Sequence, residues 1–145
     1  MGDMHYRHTQ VGYWMAAAMV GLAAVIASRM QSLTTFGVMC LVTTLASALF
    51  GTLTVIVDET SIQVRFGPVS LLREHIAVAD VTHARAVRNS PLNGWGIRYI
   101  RHGRLWNVWG LDAVELQLRN GTRFRIGTDE PQALLRALRA RGISA

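Results

Sequence analysis

At 145 residues the chain is too short for more than one full-sized globular domain. Its formal net charge of +6 is carried by arginine alone, with no lysine, and the arginines lie singly along apparent strands. That scatter excludes nucleic acid as the expected partner, and a lone cysteine, Cys40, excludes a disulfide framework.

Residues 1–10 read as an N-terminal cytoplasmic tail. Two apolar runs follow, at residues 11–28 and 33–52. Ser28 is the only strongly polar residue of the first, and the second carries no charge, so each approaches the ~20 apolar residues that span a bilayer. Arg7 ahead of an apolar stretch, with Val25 to Ala27 passing for a small-residue cleavage site, is also the arrangement of a signal peptide. The first run is longer than a signal core, however, and the second follows after only Arg29, Met30, Gln31 and Ser32. A transmembrane helical hairpin over residues 11–52 is therefore expected. Ala17, Gly21 and Ala24 in one helix, with Gly37, Ala46 and Ala48 in the other, offer small surfaces for close approach. Threonines 34, 35, 43 and 44 need do no more than bond helix carbonyls. Tyr13 and Trp14 suit an interfacial aromatic belt as well as packing within the hairpin. Arg7, Arg65 and Arg73 on one side outnumber Arg29 in the connection, which points to a multi-pass protein of the inner (plasma) membrane with both termini cytoplasmic.

From residue 53 to the end the hydrophobic period changes to two, as in half-buried antiparallel strands. Leu53, Val55 and Val57 alternate with a second set, Ile62, Val64 and Phe66. A loop at 58–61 sets Val57 opposite Ile62 and Val55 opposite Val64. Strands are predicted over 72–76, 81–88 and 95–101, with core packing expected of Trp95. A later hairpin pairs Leu116 with Phe124 only if its loop is Arg119, Asn120 and a left-handed Gly121; that register aligns Glu115 with Arg125 on the outer face. The tail predicts a helix over 129–141. Thr128 or Asp129 caps it, Pro131 lies in the first turn, Leu134, Leu135 and Leu138 form its apolar stripe, and Gly142 stops it.

About seven strands followed by one amphipathic helix is the order of a pleckstrin-homology-like domain. Three stretches sharpen the likeness: Asn89-Ser90-Pro91-Leu92-Asn93-Gly94-Trp95-Gly96-Ile97-Arg98, Asn107-Val108-Trp109-Gly110, and Arg125-Ile126-Gly127-Thr128-Asp129-Glu130-Pro131. With the preceding hairpin, the chain resembles small bacterial membrane proteins that carry such a domain. The resemblance implies a two-helix transmembrane hairpin, then an antiparallel β-barrel or sandwich with a C-terminal helix, and no particular chemistry.

The residues give no metal or catalytic pattern. His5, His8, His75, His83 and His102 lack ligand spacing, and no nucleophile and base pair can be argued, so no enzyme, cofactor or metal is expected. The expected contact surface combines Arg98, Arg101 and Arg104 with Trp106 or Trp109, a chemistry suited to an anionic headgroup. Its setting is a binding or scaffolding module at the membrane that takes a protein partner or a second copy of itself. The alternative is a module that binds anionic lipid, and a membrane-tethered enzyme or transport accessory ranks third.

Overall fold

The computed structural model describes residues 6–29, 32–67 and 72–145. In chain order the elements are β1 (Tyr6–Val11), α1 (Tyr13–Arg29), α2 (Leu33–Phe50), β2 (Thr52–Val57), β3 (Ser61–Phe66), β4 (Leu72–Ala77), β5 (Val81–Arg88), β6 (Gly96–Ile100), β7 (Gly103–Asn107), β8 (Asp112–Leu118), β9 (Arg123–Gly127) and α3 (Pro131–Ala140).

The two apolar runs form α1 and α2. Ser32 starts α2, its Oγ accepting a 3.4 Å hydrogen bond from Thr35 N. With 18 residues and a mean hydropathy of 1.8, α2 is long and apolar enough to cross a membrane by length and composition, and none of its residues is buried. At 17 residues α1 falls short of that length, so among the described residues α2 alone meets it where two spans were expected. The helices meet at Ala23, beside a groove lined by Val20, Ala24, Phe36 and Cys40. The glycines do not make the approach. A Cβ added to Gly21 or Gly37 would meet nothing within 4 Å; the buried small residue is Ala23, outside the expected set, while Ala24 of that set lines the groove beside it.

Residues 6–11, read from sequence as mostly tail, instead form strand β1. Alternation over Tyr6, His8 and Gln10 is too polar to announce a strand; pairing with β2 creates it, with His8 opposite Val55 and Val11 opposite Thr52. β1 to β4 make an antiparallel sheet in sequence order with β1 at one edge. The expected first hairpin is present, with Val57 facing Ile62 and Val55 facing Val64.

The second sheet has the order β5-β8-β9-β7-β6. The hairpin over residues 116–124 has the expected register, Leu116 opposite Phe124, and Gly121 is left-handed at φ +82°. This sheet departs from an all-antiparallel expectation: β7 runs parallel to β9, Trp106 opposite Ile126. The β6–β7 hairpin lies between β5 and β8 in sequence but crosses to the far edge, leaving β5 paired with β8. Sequence alternation misses β7 because Leu105 and Trp106, on opposite faces, are both buried.

The two sheets pack face to face without closing into a barrel. Phe66, Trp106 and Phe124 form an aromatic ladder between them, with centroids 5.5 and 5.7 Å apart. Arg104 links the sheets at one side through Glu74, Nη2 to Oε1 at 2.7 Å. At another side α3 buries Leu134, Leu135 and Leu138, and the chain leaves it at Gly142, φ +81°.

Candidate functional site

Register alone assembles a cross-sheet row on the outer face of the second sheet. Arg98 of β6 stands opposite Leu105 of β7, Leu105 opposite Arg125 of β9, Arg125 opposite Glu115 of β8, and Glu115 opposite Arg85 of β5. One row further along lie Gly103, Arg123, Gln117 and His83. Period-two alternation turns all of these side chains away from the core.

Glu115 is the centre of this face and is only 4% exposed. Its Oε1 accepts from Arg85 Nη2 at 2.7 Å and Nε at 3.1 Å, and its Oε2 accepts from Arg125 Nε at 2.6 Å. Arg123 Nη1 stands 3.8 Å from Oε1. Burial pushes the Glu115 carboxyl up, but the hydrogen bonds and charges of Arg125 and Arg85 outweigh it and hold the pKa below its ordinary value. The carboxylate stays ionised at neutral pH, with both oxygens occupied by arginine.

The arginines are not used up in return. Three guanidinium charges face one carboxylate, a surplus of two. Arg85 and Arg123 side chains are 54% and 40% exposed, and each guanidinium has five N–H donors, of which Glu115 takes two from Arg85 and none at hydrogen-bond distance from Arg123. Arg125 is more enclosed, its Nη1 donating to Asn89 Oδ1 at 3.3 Å. A hollow of about 120 Å³ lies over the cluster, lined by His83, Arg85, Glu115, Gln117 and Arg123. The arrangement is a preorganised cationic face: the buried carboxylate fixes two planar guanidinium groups and leaves outward donors for an oxyanion.

The surface expected from sequence is dispersed. Arg98 lies on the outer face, exposed, and donates from Nε to Trp95 O at 3.2 Å. Arg101 is exposed at the β6–β7 turn, the opposite end of β6. Arg104 points to the other face, held by Glu74 with its guanidinium 5.5 Å from the Phe124 ring centroid. Trp106 is a core residue at 5% exposure. Trp109 is half-buried and stacks on Trp95, with centroids 5.2 Å apart and planes 12° apart. Trp95, expected in the core, is instead 42% exposed ahead of β6. Within one hairpin Arg98 takes the outer face, Arg101 the turn, and Arg104 and Trp106 the inner face, so nearness in sequence does not make them a cluster. The pairing of Glu115 with Arg125 is as expected. Arg85 was missed because β5 reaches β8 only by a long-range pairing that no local pattern announces.

No protein-family model and no curated protein matches the chain.

Proposed function

We propose that the protein is a membrane-anchored, non-catalytic binding module at the cytoplasmic face of the inner membrane, docking an acidic segment of a partner protein on its arginine face. The observation that carries this reading is the surplus of guanidinium donors around buried Glu115. Anchoring is supported by the exposed apolar side chains of both helices, among them Val20, Leu22, Val25, Leu41 and Leu45 at 55–62%. It is supported also by the absence of any linker: β1 and β2, which lead into and out of the hairpin, are hydrogen-bonded neighbours. A non-catalytic role is consistent with Glu115, whose carboxylate is held ionised by Arg85 and Arg125 and serves to fix them.

A pleckstrin-homology-like build is supported by the element order. Two packed sheets are followed by the single amphipathic helix α3, with nine strands among the described residues where about seven were expected.

The test is a pull-down from detergent-solubilised membranes with mass spectrometry, comparing the wild-type chain with Arg85→Glu/Arg123→Glu. A partner held by wild type, lost from the variant and released by added salt supports the reading. Equal recovery from both proteins counts against the arginine face.

A further inference from the structure

The foot of the helical hairpin carries a second feature, which shares with the row of the arginine face only Arg98 at its β6 end. Gly12 N donates to Gly51 O at 2.8 Å where the two helices leave the first sheet. The loop at 108–111 abuts this junction: a Cβ added to Gly12 would fall 2.5 Å from Val108 Cγ1, and Gln10 Nε2 donates to Trp109 O at 2.9 Å. Trp109 stacks on Trp95, and the loop at 89–95 is tied down beside it by Asn89 N donating to Leu111 O at 2.6 Å. Within that loop a 3-10 turn at Pro91–Asn93, capped by Ser90 Oγ, holds Leu92 outward at 95% exposure. Tyr13 and Trp14, at the start of α1, are 74% and 68% exposed.

A leucine held fully in solvent by a capped turn, two stacked indoles behind it and an arginine beside them is an amphipathic set: an apolar tip, aromatic rings suited to headgroup level, and a cation for lipid phosphate. We infer that the two loops form a second contact with the bilayer, Leu92 entering the boundary between acyl chains and headgroups while Trp95, Trp109 and Arg98 sit among the headgroups. The occupant is lipid because the rim adjoins the junction from which both apolar helices depart, so the surface that receives the hairpin lies alongside it. The inference rests on the membrane-anchored reading and is independent of the partner proposed for the arginine face. Two helices alone let a domain rock about their axis; a lateral third contact fixes its tilt.

The experiment uses the full chain carrying Cys40→Ala, reconstituted in vesicles of phosphatidylcholine and phosphatidylglycerol. A nitroxide is placed singly by Leu92→Cys, by Leu45→Cys on α2 and by Asn120→Cys on the β8–β9 turn, and relaxation by oxygen is compared with relaxation by a water-soluble nickel chelate. The expected result is a several-fold oxygen preference at 45 and 92 and the reverse at 120. An aqueous signal at 92 with a lipid signal at 45 overturns the rim contact and leaves the anchor standing. An aqueous signal at 45 overturns both. Shielding of 92 from both reagents means that protein covers the loop, which also overturns the inference.

Discussion

Glu115 is a single side chain on which three strands converge. Replacing it by glutamine leaves Arg85 and Arg125 facing each other without a counter-charge, and breaking a buried ion pair in this way costs several kcal/mol. Because Arg85 is half exposed and screened, we expect Glu115→Gln to lower stability in detergent by about 2–3 kcal/mol at pH 7, read from thermal unfolding. The folded carboxyl has a lowered pKa, so its contribution is complete above the ordinary value of 4.5 and is lost as pH falls through the folded pKa. The variant should lack that acid limb of the stability curve.

Tyr6 on β1 behaves oppositely. Burial, then the charges of Glu130 and Asp129, push its hydroxyl up to about 12 from 10.0, against an opposing charge from Arg136. A raised pKa favours the neutral form in the fold, so its contribution is complete below pH 10.0 and is lost as pH rises towards about 12. The hydroxyl is buried without a hydrogen-bond partner among the described residues, so Tyr6→Phe removes a desolvated polar group. We expect it to be neutral or slightly stabilising at pH 7 and to flatten the alkaline limb, measured by the same unfolding series.

Among the strand pairings, that of β7 with β9 is the parallel one, and it brings two backbones into close approach. Gly103 makes it possible: a Cβ there would lie 1.8 Å from Arg123 O, a backbone atom that cannot turn aside. Gly103→Ala is therefore expected to cost more than about 2 kcal/mol and to loosen the β6–β7 hairpin, seen as faster amide exchange over 96–107. Gly121→Ala provides the comparison. Its Cβ would meet open space, so only the left-handed backbone, φ +82°, is penalised, by about 1 kcal/mol. A similar loss at both sites would count against the parallel pairing as the constraint at Gly103.

For the whole molecule, the antiparallel pairing of β1 with β2 carries a topological consequence. Val11 and Thr52 are paired neighbours, so in the membrane-anchored reading proposed above the hairpin would enter and leave the bilayer on the same side. Reporters fused at either chain end should respond alike, both as cytoplasmic, in a protease-protection or enzymatic topology assay. Opposite readings from the two ends would break the hairpin model. The same pairing makes β1 an outer strand of the first sheet, and His8 ties it to the start of α3 through Asp129 Oδ1 at 2.6 Å and Glu130 Oε2 at 3.5 Å. β1 and the entry to α3 thus meet on one flank of the β domain.

What the sequence by itself determined is whatever depends on neighbours along the chain. Uninterrupted apolar runs make α1 and α2, period-two alternation makes β2, β3, β8 and β9, and Gly121 and Gly142 end their elements because they accept left-handed backbone. The outer-face pairing of Glu115 with Arg125 followed from hairpin register in the same way. Only the tertiary structure decided which distant strands pair. β1 is half-buried in the fold but its sequence has too little apolar alternation to announce it, and β7 is covered on both faces and so has no alternation to show. The candidate site follows that division: Arg98, Arg101, Arg104, Trp106 and Trp109 are close in sequence but divide between two faces and two ends, whereas Arg85, Glu115 and Arg123 come together from three strands. Local pattern encodes the face a side chain takes on its own strand; long-range pairing, which carries no local signature, decides what stands next to it.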